Sequence, residues 1–175
     1  MPSYVLKCIY YAHIYPLLTY CNPIWSTTFP THLNPLQLQL KRIVRIITNS
    51  AYLAHSSPLF KQTQILRLED ITQISIASYI FTNKSILQNL LPTHNYPTRQ
   101  CHLPRTPAHR LTGFRHSTTY LGPVIWNTIP TNIQNSLSLS VFKNRLKKHY
   151  LTTYSATIMI IQYSYPASSS ITWMT

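Results

Sequence analysis

Apolar positions recur at intervals of three and four along much of the chain, the period of an amphipathic helix. Between Tyr4 and Tyr20 the recurring set is Leu6, Ile9, Tyr10, His13, Ile14 and Leu17. Pro16 predicts a kink or an end there, because it lacks an N–H and crowds the preceding turn. Trp25 then falls in a short connection. Asn34-Pro35 reads as a helix start, with Asn as N-cap and Pro at the first helical position, where a missing N–H costs nothing. From Leu36 to Thr48, the residues Leu36, Leu40, Ile43, Val44 and Ile47 share one stripe. Lys41, Arg42 and Arg45 fall opposite, with Leu38 among them. This is the clearest helical pattern in the chain.

Pro58-Leu59-Phe60 opens a further short piece that includes Ile65, Leu66 and Leu68. Glu69 and Asp70 come next, where a helix N-terminus would favour negative charge. Ile71, Ile74, Tyr79, Phe81, Ile86, Leu87 and Leu90 then fit one helix or two, although β-branched residues leave a strand open. From 92 to 130 the pattern breaks. Pro92, Pro97, Pro104, Pro107, Pro123 and Pro130 punctuate a segment carrying Arg99, Arg105, Arg110 and Arg115. So many prolines predict an extended basic arm or a set of short strands, with regular helix excluded over most of it. A last amphipathic helix is predicted from about Ser138 to Leu151, with Leu139, Phe142, Leu146 and Tyr150 on one face and Lys143 and Lys147 on a flank. Past Thr152 the period is lost, which predicts a poorly ordered tail. The expectation is a mostly α protein. A small helical bundle occupies 1–91, the Pro-rich arm 92–130, the C-terminal amphipathic helix 131–151 and the tail 152–175. No internal repeat interrupts this order.

Composition narrows the chemistry. The chain has 175 residues and a hydrophobic fraction of 45%, enough for one domain with a modest core and too much for wholesale disorder. Two glycines against 13 prolines favour helices joined by proline-set connections over tight hairpins. Fifteen Lys and Arg against two acids give a net charge of +13. The two carboxylates, Glu69 and Asp70, are neighbours in sequence and point different ways, so they cannot face each other across a substrate as acid and base. Nor do they make the carboxylate cage that Mg²⁺-dependent phosphoryl transfer uses. With only Gly113 and Gly122, there is no phosphate-cradling glycine loop. Cys8, Cys21 and Cys101 form no C-x-x-C pair and no disulfide framework, which fits a reducing compartment. The apolar run from Val5 to Leu18 contains His13 and Pro16 and lacks a small-residue cleavage site, which argues against secretion. Ile158 to Ile161 is far too short to span a bilayer. A soluble intracellular chain, nuclear or cytoplasmic and without a membrane partner, is expected.

His94, Cys101, His102, His109 and His116 cluster in the arm, but neither C-x-x-C nor H-x₃₋₅-H spacing occurs among them. They read as solvent-facing histidines, so no metal and no cofactor is expected. A Cys–His nucleophile would lack a carboxylate to orient the imidazole. The positive charge is more informative. It falls into three groups: Lys41/Arg42/Arg45, the four arginines of the arm, and Lys143/Arg145/Lys147/Lys148. With almost no acid to neutralise them, these side chains should attract polyanions. Their spread over several elements favours nucleic acid over a membrane surface, which is usually met by one long amphipathic helix. The candidate phosphate contacts are Lys41, Arg42, Arg45, Arg99, Arg105, Arg110, Arg115, Lys143, Lys147 and Lys148. Tyr96 and Tyr120 interleave with the arm as stacking partners for bases. Trp25 and Trp126 are expected to anchor the core.

Several ordered motifs resemble the region just after the palm of non-LTR retrotransposon reverse transcriptases, the jockey-like LINE type above all. Leu6-Lys7 through Tyr10-Tyr11, Ile14-Tyr15-Pro16 and Leu18-Thr19-Tyr20, then Trp25, carry the start of the likeness. Leu40 to Thr48 is similar to the family's "LQKRAIRIIT" helix, and His55 with Pro58-Leu59-Phe60, Ile65-Leu66 and Leu68-Glu69-Asp70 to its "H..PLF..L.IL.L.D" stretch. Thr98-Arg99 resembles "YNTR", with Pro97 replacing the Asn. Tyr120-Leu121-Gly122-Pro123-Val124-Ile125-Trp126-Asn127-Thr128-Ile129-Pro130 with Ile133 follows "Y.GP.IWN.LP..I", and Phe142-Lys143 with Leu146-Lys147 follows "FK..LK". The likeness covers about residues 5 to 151. It implies a thumb-like helical region and the connection beyond it, from an RNA-directed DNA polymerase whose catalytic palm aspartates have no counterpart here. Such a chain would be no enzyme on its own. It would contact the backbone of RNA, an RNA–DNA hybrid or duplex DNA without sequence preference, with the parent palm domain as a further partner. The other expectations are an independent basic helical interaction protein, ribosomal or chromatin-like, and a non-functional translated transposon relic.

Overall fold

A computed structural model describes residues 2–85, 89 and 104–153. Expectations for His94, Tyr96, Arg99, Cys101, His102, Ile86, Leu87 and Leu90, and for the tail from 154 onward, lie outside the described residues. Helix α1 (Ser3–Ile9) passes through a π-helical segment (Tyr10–Ile14) into α2 (Tyr15–Thr19). Pro16 stands just after the wider turn, which is one way a helix absorbs a missing N–H without ending. Cys21 then reverses the chain in the left-handed region, at φ 46°, and α3 (Asn22–Trp25) begins. Trp25 thus closes a single helical turn within the short connection between α2 and the next long helix. Asn22 is buried but satisfied: its Nδ2 donates to Leu18 O at 2.9 Å and its Oδ1 accepts from Ser26 Oγ at 3.0 Å.

Helix α4 (Pro30–Thr48) starts earlier than the Asn34-Pro35 signal predicts. Pro30 takes the first helical turn after Phe29, and Pro35 lies inside, where it withholds the amide that Thr31 O would otherwise accept. The inward stripe holds Leu40, Val44 and Ile47, all buried, with Leu33 and Ile43 half-buried and Leu36 left outside. Asn49, at φ 50°, ends the helix, and Ser50 N–H donates back to Arg45 O at 3.0 Å, a Schellman closure. Helix α5 (Ser56–Thr63) follows, then α6 (Leu68–Thr82), whose first turn carries Glu69 and Asp70. The β-branched residues of α6 adopt helix, not strand, because the helix is buried on several sides and tertiary packing outweighs their modest intrinsic preference.

The arm is corrected by the structure. Residues 104–111 are irregular, but a 3-10 turn (Thr112–His116), helix α7 (Thr118–Thr128) and the short α8 (Thr131–Gln134) follow. An extended or stranded arm therefore does not continue to 130. Ser117 caps α7 by accepting Tyr120 N–H at 3.3 Å. Pro123 sits within this helix, buried, and its missing hydrogen bond is offset by burial of Ile125, Trp126 and Pro123 itself on the inward face. The last helix, α9 (Leu139–Thr153), begins where Ser138 Oγ accepts Val141 N–H at 3.3 Å. It runs two residues past Leu151, into the stretch read as tail.

The result is a mostly helical bundle with no strand among the described residues. Two apolar cores form. Tyr10, Leu18, Leu40, Val44, Ile47, Phe60, Ile65 and Leu66 surround Leu68 and Ile71 at one end of α6. At its other end Ile76, Ala77 and Ile80 meet Ile125, Trp126, Ile129, Ile133, Phe142 and Leu146. Helix α6 joins both.

Candidate nucleic-acid interface

The α4 cations do not behave alike. Arg42 is exposed and Lys41 half-buried. Arg45 is half-buried as well, and its Nε donates to Ala54 O at 2.9 Å, so it fastens the turn after α4 instead of pointing freely outward. On α9, Lys143 and Lys148 are exposed. Lys147 is half-buried, its Nζ 5.4 Å from the centre of the Tyr11 ring, which ties α9 to the N-terminal helices by a cation–π contact. Arg145 is exposed, with Nη1 donating to Asn132 O at 3.3 Å. Tyr11 is a participant that periodicity alone did not single out, since its role depends on a residue from the far end of the chain.

In the arm, Arg105, Arg110 and Arg115 are exposed, while Arg99 lies outside the described residues. Asn127 Nδ2 donates to Pro104 O at 3.1 Å, which draws the irregular stretch back onto α7. Arg115 Nε donates to His109 Nε2 at 2.6 Å, and His109 meets Tyr120 edge-on at 4.8 Å between ring centres. His109 and Tyr120 therefore pack on each other, and Tyr120 is half-buried. His116 lies against Phe29, with ring centres 4.6 Å apart. The arm is thereby folded onto the helices.

Trp25 and Trp126 are both placed in packed surroundings. Trp126 is 8% exposed and lies nearly parallel to Phe142 at 6.0 Å, while Phe142 stacks on Phe81 at 4.6 Å. Trp25 is half-buried and its Nε1 donates to Tyr20 O at 2.8 Å. Of the two acids, Glu69 is exposed and its Oε1 accepts from Gln37 Nε2 at 3.1 Å. Among the described residues, no three His, Cys, Asp or Glu side chains gather as a metal site, and no helix is long and apolar enough to cross a membrane. Exposed cations thus stand on α4 (Arg42), on α9 (Lys143, Arg145 and Lys148) and on the folded arm (Arg105, Arg110 and Arg115). Comparison with protein-family models, curated proteins and solved structures returns no match.

Proposed function

We propose that this chain binds nucleic acid through its phosphate backbone, as the C-terminal, thumb-like part of a non-LTR retrotransposon RNA-directed DNA polymerase would. The observation that carries this reading is the charge: +13 overall, with Arg42, Arg110, Arg115, Lys143 and Lys148 exposed and one of the two acids already engaged by Gln37. Phosphate is the natural counter-ion for such a surface. Contacts of this kind position a backbone without reading bases, so RNA, hybrid and duplex DNA are all accommodated. In this reading the chain supplies no catalytic group. Glu69 and Asp70 follow one another on the first turn of α6, where they cannot hold two metal ions about 4 Å apart for in-line displacement.

The test is the salt dependence of binding to a mixed-sequence duplex. Each phosphate neutralised contributes about 0.9 to the negative slope of log K against log salt, so four or five contacts give a slope of about −4. The Lys143→Ala/Lys148→Ala double variant, altered at two exposed positions, is expected to reduce that slope by about two units with the fold unchanged. A slope near zero, or strong discrimination between unrelated duplexes, would refute backbone binding.

A further inference from the structure

The two cores leave some large apolar side chains outside, among them Ile24 at 77% exposure and Phe29 at 49%. Both line one open groove of about 630 Å³, together with Trp25, and Gly113 and His116 form its other side. That volume is within the range of about 300–1,000 Å³ common for small-molecule sites. The walls are held by contacts that span most of the chain. Thr118 Oγ1 donates to Pro23 O at 3.4 Å, the His116 ring rests on Phe29, and the Trp25 indole is fixed through Tyr20 O. A Cβ placed on Gly113 would meet nothing within 4 Å, so this side of the groove is unobstructed.

Ring chemistry and charge together specify an occupant. Exposed aromatic faces bind nucleobases by stacking, which tolerates any base because every base has a π-face. Arg115 lies between Gly113 and His116 in the same 3-10 turn, and Arg110 precedes that turn by two residues. The bond to His109 Nε2 uses one of the five guanidinium donors of Arg115 and sets the orientation of the group. No acid occurs in either segment that builds the groove. A planar aromatic group attached to an anion suits such a site, and a base locked inside a duplex cannot present its face to it.

We propose that this groove seats an unpaired nucleobase of a single strand, with the adjoining phosphate against Arg115 and Arg110. The inference rests on the backbone-binding reading above and adds a preference that phosphate contacts alone cannot produce. Fluorescence anisotropy at low salt compares three labelled probes: an oligothymidylate of about 12 nucleotides, the abasic strand of equal length, and a duplex of similar length. The oligothymidylate is expected to bind about tenfold tighter than the abasic strand, the loss expected for one stacked base. Phe29→Ala and Ile24→Ser are each expected to abolish that preference and leave duplex affinity unchanged. Equal affinity for the oligothymidylate and the abasic strand, with duplex binding intact, would overturn the groove assignment and leave backbone binding standing. Failure of all three probes to bind would overturn both. Should Phe29→Ala also weaken duplex binding, the effect would be structural, and Ile24→Ser at its highly exposed position decides: a preference that survives there refutes the site.

Discussion

Tyr10 is 1% exposed, and its hydroxyl has no hydrogen-bond partner among the described residues. Burial pushes its phenol well above the ordinary tyrosine value, with smaller contributions from Tyr11 and Tyr15 beside it. An orphaned buried hydroxyl forfeits its hydration without compensation. Tyr10→Phe is therefore expected to stabilise the fold by about 1 kcal/mol, seen as a higher urea midpoint with an unchanged slope. The pH dependence has a definite sign. Above the ordinary tyrosine value of about 10 the unfolded chain releases this proton while the folded chain keeps it, so stability declines with rising pH. Tyr10→Phe should lessen that decline. An unchanged midpoint and an unchanged alkaline profile would mean that the hydroxyl is reached by water. The apolar spacing does place Tyr10 in the recurring set of the first helix, but whether its hydroxyl finds a partner depends on side chains brought from elsewhere. Asn22, also buried, is satisfied within its own turn by Leu18 and Ser26.

Among the elements, α4 shows how far periodicity reaches. Leu40, Val44 and Ile47 turn inward as their spacing requires, yet the start is set by Pro30, because either proline satisfies the local rule and the chain continues helical through the second. Helix α7 shows where such rules give way. Pro123 argues against a helix locally, but the inward face of α7 packs on α6 so closely that a Cβ on Gly122 would come within 2.7 Å of Ile80 Cδ1. Cδ1 is the far end of the Ile80 side chain, but Ile80 is itself buried and has little room to turn. Gly122→Ala is thus expected to destabilise by about 1 kcal/mol, overpacking outweighing the better helix propensity of Ala. Ile80→Val removes the Cδ1 atom. The double variant should consequently lose less than the sum of the two single changes in urea unfolding. Additive losses, or a Gly122→Ala variant more stable than the parent, would show that α6 and α7 are not in this close contact.

At the scale of the whole molecule, α6 contributes to both cores, Leu68 and Ile71 to one and Ile76, Ala77 and Ile80 to the other. Neither core is complete without it, so the described residues should unfold as one cooperative unit. In native-state hydrogen exchange the slowest amides of α4 and α9 are expected to open with the same free energy, and clearly different values would divide the bundle in two. The candidate interface is legible in parts only. That Arg42, Lys143 and Lys148 face outward follows from the helical period and the apolar stripe opposite them. That Arg45 is tied to Ala54, that Lys147 rests on Tyr11, and that Trp25 and Phe29 share a groove with His116 does not. By itself the sequence determined the helical class, the net charge and the inward stripe of α4, because each follows from composition or from spacing within a single turn. The tertiary structure alone decided that α7 is a helix through Pro123 and that the arm folds back to form the groove. The physical reason is separation along the chain: Thr118 and Pro23 are 95 positions apart, and their contact has no local signature.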